Sequence, residues 1–168
     1  MVQQAINEYK STMQQLLQVL SAFSVDQINR VPFKGSWTPG QVAEHLCKAQ
    51  LGMPELFSGE TISTNRPADK KRKAIANMFL NFSVKYQSPE FVIPSNDDKN
   101  KTLLINNLET LAKEVTEAAD KYDETEECLN FAIPGFGPFT RLEWVYFITY
   151  HMQRHVYQLN NIYQKMAA

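Results

Sequence analysis

The sequence predicts an all-α fold, a four-helix bundle with long connecting loops. Apolar residues recur at three- and four-residue steps in four long segments, which is the pattern of helices with one buried face. Two of these segments begin with a capping box, and no group of segments shows the two-residue alternation typical of strands. We therefore expect residues 1–168 to form one helical domain, since a chain of this length buries a single sizeable core.

The first two long helices are predicted over residues 2–23 and 39–57. Apolar residues at helical spacing run through the first of them, and a loop that contains proline and glycine follows. Thr38 and Gln41 form a T-x-x-Q capping box at the start of the second helix. Pro54 lacks a backbone N–H, so we expect it to bend this helix or to end it early.

The next part of the chain is predicted to be mainly connecting structure. Residues 58–68 are expected to form a loop, and Asp69 is the expected cap of a shorter helix in "DKKRKAIANMFLNFSVKY". The stretch "SPEFVIPSNDDKN" contains two prolines and a polar cluster, which is typical of a connector. A third long helix is predicted over residues 98–122, where the apolar stripe continues for several turns.

The last long helix is predicted over residues 140–165. The preceding stretch "FAIPGFGPF" interrupts the helical pattern with glycine and proline. Thr140 and Glu143 then form a T-x-x-E capping box, which marks the first turn of the helix. Two of the three histidines in the chain lie on this helix.

The composition disfavours partners that are bound mainly by charge. The formal net charge is -1 at pH 7, so we expect no nucleic-acid partner and no membrane partner. The first residues lack a basic start followed by an apolar run, and no apolar stretch approaches the ~20 residues of a membrane helix. Cys47 and Cys128 match no metal or redox spacing, which predicts reduced thiols and a cytoplasmic protein.

The histidines provide the main functional hypothesis. His151 and His155 lie four residues apart on the last predicted helix, so their side chains project side by side. His45 lies on the apolar side of the second predicted helix, so all three rings border the predicted core. Three neutral imidazoles that converge between helices match a three-histidine metal site with an open position. Three core histidines, each hydrogen-bonded to a neighbour, are the alternative.

Motifs that the sequence lacks also exclude some kinds of site. The stretch "HMQRH" carries Met152 where a zinc peptidase has its catalytic glutamate, so that chemistry lacks its base. No Glu-x-x-His step occurs in the chain, which argues against a ferritin-like di-iron bundle. Neither a P-loop nor a G-x-G-x-x-G fingerprint is present, so no nucleotide site is predicted.

The stretches "SWTPGQVAEHL" and "GFGPFTRLEWVYFITYHMQRHVYQL", with the helical spacing between them, resemble the DinB-like superfamily of DinB/YfiT-like proteins. The resemblance covers most of the chain. It implies a four-helix bundle in which one histidine of the second helix and an H-x-x-x-H pair of the last helix bind one divalent metal ion. Those positions are His45, His151 and His155 in this sequence, and Zn, Ni, Fe, Mn and Co are the candidate ions.

The same resemblance implies one of two activities. Some members of the family are thiol-dependent transferases that use the metal to activate a low-molecular-weight thiol, and others are classed as metal-dependent hydrolases, which activate water. We therefore expect a metal-dependent enzyme with a small-molecule substrate. The open coordination position of its metal ion is expected to hold the nucleophile. The alternative is a binding or structural protein whose metal only staples the bundle. Whether the chain forms a homodimer is left open.

Residues around the predicted site have more than one interpretation. Phe136 and Phe139 belong to an aromatic run that either packs the core or roofs a substrate pocket. Arg154 lies beside the histidine pair, where it meets either an anionic substrate or a surface carboxylate. Gln41 either orients the histidine one turn later or acts only in its capping box. Cys47 is expected to face away from that histidine, which makes it a poor fourth ligand.

Overall fold

Helices make up most of the computed structural model, which describes residues 1–167. The α-helices are α1 (Val2–Ala22), α2 (Val25–Ile28), α3 (Pro39–Gln50), α4 (Met53–Ser58), α5 (Arg72–Leu80), α6 (Lys101–Lys121) and α7 (Arg141–Ala167). A 3-10 turn spans Glu90–Val92, and β1 (Thr61–Ile62) pairs antiparallel with β2 (Glu127–Cys128). The all-α prediction is confirmed. Within residues 1–167, no helix has both the length and the apolar character needed to cross a membrane.

The helices α1, α3, α6 and α7 form the bundle. α1 packs against α6 and α7, and α3 packs against the same two helices. α4 packs on α6, and α5 packs on α7. The apolar stripes of the long helices face the shared interior, because burial removes their hydrocarbon surface from water. The largest fully buried side chains are those of Tyr9, Leu16, Leu20, Phe23, Ile28, Leu46, Phe57, Ile75, Leu108, Phe139, Trp144 and Tyr146.

The second predicted helix begins as expected but ends earlier. The side chain of Thr38 accepts the backbone N–H of Gln41, and the Gln41 side chain accepts the Thr38 N–H, so the capping box is confirmed. The predicted span 39–57 is wrong in its second half, because α3 stops at Gln50 and α4 is a separate helix. Pro54 explains the break, since a continuous helix would place its ring against the Gln50 carbonyl and leave that carbonyl without a donor. In the observed structure Pro54 occupies the first turn of α4, where no donor is needed.

Two local predictions between α4 and α5 are wrong. Residues 58–68, predicted as a loop, contain β1, but strands of two residues are too short to leave an alternating pattern. Asp69 is not the cap of α5, whose N-cap residue is Lys71. The Lys71 backbone N–H donates to the Glu143 carboxylate of α7 at 2.7 Å. The start of α5 is thus capped from another helix, which sequence spacing does not reveal.

Glu143 is the polar centre that joins the start of α7 to its neighbours. Its side chain is fully buried, and it accepts two hydrogen bonds of 2.7 Å from the Arg66 guanidinium. It also accepts the Thr140 N–H at 3.0 Å, which completes the predicted capping box. Arg66 in turn contacts Glu127 of β2 at 2.6 Å. A buried carboxylate is costly without such donors, so these contacts depend on one another.

The interruption at "FAIPGFGPF" is a tight turn before α7. Gly135 and Gly137 have φ angles of 85° and 68°, in a region that residues with a Cβ rarely adopt. Ile133 and Gly137 form an isolated antiparallel bridge across the turn. The prediction that this stretch breaks the helical pattern is confirmed. The turn also places residues 131–134 beside the main cavity of the bundle.

Replacing Glu143 by alanine is expected to destabilise the fold strongly, because the Arg66 guanidinium then loses a buried partner. We expect the free energy of unfolding to fall by about 3–5 kcal/mol, measured by urea denaturation followed by circular dichroism. Glu117→Ala is the matched control, since the exposed Glu117 lies on α6 at 3.9 Å from Lys113 and such pairs contribute about 0–1 kcal/mol. Equal effects of the two substitutions would contradict the role given to Glu143.

Candidate metal centre

Three histidine rings meet where α3 packs against α7. His45 comes from α3, and His151 and His155 come from successive turns of α7. The Nε2 atom of His151 lies 3.0 Å from that of His45 and 3.1 Å from that of His155. The ring centroids lie between 4.7 and 4.9 Å from one another. The structure therefore brings together the three residues that the sequence analysis selected, and we refer to them as the triad.

Two of the triad rings have their Nδ1 atoms held by hydrogen-bond acceptors. His45 Nδ1 donates to the backbone carbonyl of Val92, in the 3-10 turn, at 2.8 Å. His155 Nδ1 donates to the side-chain carbonyl of Gln158, on α7, at 2.7 Å. Because a carbonyl oxygen only accepts, the ring proton sits on Nδ1 and the Nε2 lone pair faces the other rings. Metal-ligating histidines are commonly held in this way.

Burial keeps the triad rings uncharged near neutral pH. The exposed fraction is 2 % for His45 and 8 % for His155. Removal from water lowers the pKa of His45, lowers the pKa of His151 well below its usual 6.5, and lowers the pKa of His155 to about 3. Repulsion between the rings contributes to the lowered pKa of His151 and of His155. Imidazole binds metal only in its neutral form, so the fold keeps these rings in the ligating state.

The donor atoms of the triad fit a divalent transition metal. Imidazole nitrogens suit zinc, iron and nickel, and two nitrogens bound at about 2.1 Å lie roughly 3.0 Å apart at octahedral angles and roughly 3.4 Å apart at tetrahedral angles. The separations of 3.0 and 3.1 Å lie within this range. No carboxylate or thiol of residues 1–167 joins the three rings as a fourth ligand. The triad is positioned to bind one ion and to leave coordination positions open.

A cavity of about 820 Å³ opens on the triad. All three histidines contribute to its lining, together with side chains of α4, α5 and α7 and of the connector after α5. A volume of this size accommodates a small organic molecule. The wall of the cavity is mainly apolar and includes Met53, Leu56, Phe79, Phe91, Phe131 and Phe147.

Phe136 and Phe139 pack against the core rather than roofing the cavity. Phe139 is fully buried and its ring packs edge-on against Trp144 at 5.0 Å, while Phe136 packs against Phe139 at 5.5 Å. Phe131 and Phe147 line the cavity in their place. The core-packing interpretation of Phe136 and Phe139 therefore holds. Spacing does not indicate which aromatic ring of this run faces the cavity, because the glycine turn interrupts the helical period.

Arg154 and Gln41 contact backbone carbonyls rather than the partners that the sequence suggested. Arg154 donates to the carbonyls of Phe79 and Asn81, at 3.0 and 3.1 Å. Of the two alternatives given for Arg154, the surface ion pair is wrong, since no carboxylate of the described chain forms a salt bridge with it. Gln41 does not orient the triad, because its side-chain amide donates to the Ser95 carbonyl at 3.2 Å.

The residues that sequence reasoning missed are those that orient the rings. Gln158 lies three residues after His155 on the same helix, so helical spacing could have identified it. Val92 contributes a backbone carbonyl, for which the sequence carries no signal. Cys47 and Cys128 are free thiols, and burial raises the pKa of each to about 11. A thiol that stays protonated near neutral pH is a poor ligand, as expected for Cys47.

The fold and the triad define a class of protein, a helical bundle with three histidines positioned between its helices to bind a metal ion. The DinB superfamily model matches residues 8–159, which include the whole triad, and the chain belongs to this superfamily. The chain is 22 % identical over 147 residues to the uncharacterized protein YuaE of Bacillus subtilis (strain 168), covering 88 % of this chain and 90 % of that protein. No solved structure matches the chain significantly. The resemblance inferred from the sequence motifs is confirmed.

Zinc binding is expected to depend on the triad and on the residue that orients His155. His155→Ala removes a ligand and is expected to lower zinc affinity by more than about 100-fold. Gln158→Leu keeps the ligands but removes the acceptor of the His155 Nδ1–H, so a loss of about 10–100-fold is expected. Isothermal titration calorimetry with zinc measures both affinities.

Gln153→Leu is the matched control for this experiment. Gln153 lies on the same helix, but its side chain contacts α1 rather than the triad. Its zinc affinity is expected to match that of the wild type. A variant with alanine at His45, His151 and His155 that still binds one equivalent of zinc would place the ion elsewhere.

The metal-free protein is expected to lose stability as the pH falls from about 7 to about 5. Because the pKa of each triad ring is lower in the folded chain than the usual 6.5, the folded state binds fewer protons than the unfolded state. This stabilising contribution is complete above pH 6.5 and is lost as the pH falls toward the folded value, about 3 for His155. Below the unfolded pKa each ring adds a slope of up to about 1.4 kcal/mol per pH unit.

Urea denaturation at several pH values, with chelator present, measures this slope. His155→Ala is expected to reduce it, and an unchanged slope would contradict the lowered pKa of His155. Since burial and repulsion between the rings lower the pKa values without any ion, acid sensitivity does not by itself demonstrate a metal. The contribution of the ion is the additional stability that chelator removes from zinc-loaded protein near neutral pH.

Proposed function

We propose that this chain is a metal-dependent enzyme that transfers a low-molecular-weight thiol to an electrophilic small molecule. The observation that carries the proposal is the position of the cavity, because the triad forms part of its wall. A site with three protein nitrogens leaves a coordination position for a nucleophile or a substrate. Membership of the DinB superfamily supports a metal-associated function without naming a reaction.

A structural ion that only holds the helices together is the competing function. Structural zinc sites are usually closed by four protein ligands, whereas residues 1–167 supply three at this site. The triad also borders a cavity of about 820 Å³ instead of a closely packed part of the core. Both features favour a role of the ion in ligand binding over a purely structural role.

The residues around the triad have separate roles in the proposed function. A divalent ion held there would lower the pKa of a nucleophile and stabilise its anion. The Val92 carbonyl and the Gln158 side chain keep the rings of His45 and His155 in the orientation that ligation requires. The mainly apolar lining lowers the local dielectric constant, which strengthens electrostatic interactions at the wall of the cavity.

The lining of the cavity favours a thiol over water as the nucleophile. Hydrolysis benefits from a general base beside the attacking water, but the hydrogen bonds of the triad involve no carboxylate of the described residues. Glu55 is the one carboxylate in the described lining, and it is exposed on α4. A thiol has an ordinary pKa of about 8.5, so it ionises near neutral pH with a much smaller shift than water requires.

In the proposed reaction, the sulfur forms a bond to an electrophilic carbon of the substrate. The leaving group departs with its bonding electron pair, and the thiol proton is released to solvent. The cavity holds both reactants in one complex, which removes the entropic cost of a bimolecular encounter from the chemical step.

Turnover that requires both metal and thiol is the expected result for the wild type. Protein loaded in turn with Zn, Ni, Fe, Mn or Co is mixed with chlorodinitrobenzene and either cysteine or glutathione, and the coloured thioether is followed by absorbance. Chelation or His155→Ala is expected to lower the rate by at least about 100-fold, because the ligand set is incomplete. Gln153→Leu serves again as the control and is expected to retain the rate.

Either of two other results would assign a different function to the protein. Metal-dependent hydrolysis of nitrophenyl esters without any thiol would establish a hydrolase. Stoichiometric metal binding with a chelator-sensitive melting temperature, and no turnover in either assay, would favour the structural ion.

A further inference from the structure

Among the described residues that line the cavity, Arg154 is the one arginine or lysine. It lies on α7 directly before the last residue of the triad. Its guanidinium donates to the backbone carbonyls of Phe79, Asn81 and Val84, which lie at the end of α5 and in the segment that follows. Arg154 therefore sits at the triad end of the cavity and fastens one of its walls to α7.

The positive charge of Arg154 has no protein counter-charge. No carboxylate of residues 1–167 lies within 4.0 Å of its nitrogens. Arg66, Arg72 and Arg141, by contrast, each contact a glutamate. Carbonyl oxygens satisfy N–H donors without cancelling a full charge. Of the five N–H donors of a guanidinium, the Nε–H has no acceptor among the described residues.

The rest of the cavity wall is mainly apolar and rich in aromatic rings. Its side chains include Phe79, Phe91, Phe131 and Phe147, which offer ring faces and edges to a ligand. Glu55, the one acidic residue of the described lining, is exposed on α4. The cavity thus combines a positive charge without a carboxylate partner at the triad end with walls that are mainly apolar, although Tyr86, Gln87, Ser88 and Asn130 add a few polar groups.

We propose that the cavity binds a largely apolar organic anion, whose acid group pairs with Arg154 and whose body packs against the aromatic wall. This proposal rests on the proposed function, because it assigns the anion to the substrate position beside the triad. A neutral ligand would leave the charge of Arg154 uncompensated, and a strongly polar ligand would lose its hydrogen bonds to water at the apolar wall. The substrate class is therefore an aryl or alkyl acid rather than a sugar, a peptide or a polyamine.

The segment after α5 has a second attachment to α7 that does not use the Arg154 charge. The Phe82 ring stacks on Tyr157 of α7, with ring centroids 4.1 Å apart and an interplanar angle of 7°. Arg154→Gln also keeps an amide N–H that can donate to a carbonyl of this segment. We therefore expect this variant to keep the cavity wall in place while it removes the positive charge.

Two dyes of matched shape test the proposal by fluorescence titration of the full chain in the presence of chelator. Anilinonaphthalenesulfonate is an apolar aromatic anion, and phenylnaphthylamine is the same aromatic frame without the sulfonate. In Arg154→Gln, the dissociation constant of the anionic dye is expected to rise by about tenfold. The dissociation constant of the neutral dye is expected to stay unchanged, because the apolar wall is intact.

Two further variants control for charge and for the location of the dyes. Lys85→Gln removes a positive charge from the same segment at an exposed residue outside the cavity lining, and it is expected to leave both affinities unchanged. Ala49→Trp places a large side chain in the cavity wall, and it is expected to weaken both dyes. Anionic-dye binding that is insensitive to Ala49→Trp would locate the dye elsewhere and overturn the proposal.

The remaining outcomes also decide the question. An equal loss of both dyes in Arg154→Gln would show that Arg154 only shapes the cavity, and no loss of either dye would show that it does not pair with the anion. An equal weakening of the anionic dye by Lys85→Gln would attribute the effect to overall charge. Since the titration uses metal-free protein and no turnover, it can support the ligand class even where the proposed thiol transfer fails, and the reverse also holds.

Discussion

The packing of three uncharged imidazole rings between α3 and α7, with His45 and His155 buried and His151 partly buried, is the constraint on which the rest of this structure depends. A ring that gained a proton there would place an unpaired charge away from water and would repel the two rings beside it. The fold therefore holds His45, His151 and His155 neutral, and it supplies acceptors for the Nδ1–H groups of two of them. Neutral rings with inward lone pairs are also what a metal ion requires. The condition that permits burial is thus the condition that permits ligation.

The helix α7 connects this constraint to the rest of the molecule. Its first turn contains Glu143, which joins α7 to Arg66 and to the start of α5. The next turns carry Phe147 of the cavity wall and then the two α7 members of the triad. Arg154, which lies between these two histidines on α7, donates hydrogen bonds to the end of α5 and to the segment that follows it. Because a helix fixes these residues at a constant rise, the buried anchor, the apolar wall and the triad keep one relative geometry. The positive charge that remains at the triad end is left for a ligand to balance.

Local rules explain what could be predicted from the sequence. The apolar stripes, the capping box of Thr38 and the box of Thr140 depend on residues within one or two helical turns, so the first, third and last long helices are predicted almost to their ends. The spacing of His151 and His155 is local in the same sense. Even the break at Pro54 was a stated alternative, although its exact place depends on a clash with a specific carbonyl. Two-residue strands and an N-terminus capped by a carboxylate from another helix have no local signal, and both were missed.

The sequence by itself determined the helices, the histidines of the candidate site and the family to which the chain belongs. Only the tertiary structure decided that His45 reaches a ring 106 positions away, that the Val92 carbonyl orients it, and that Arg154 has carbonyl partners and no carboxylate. It also decided which aromatic rings line the cavity. The physical reason is that helix formation is governed by neighbours along the chain. Burial, the pKa of a ring and the partner of a charge are governed instead by neighbours in space, which packing alone selects.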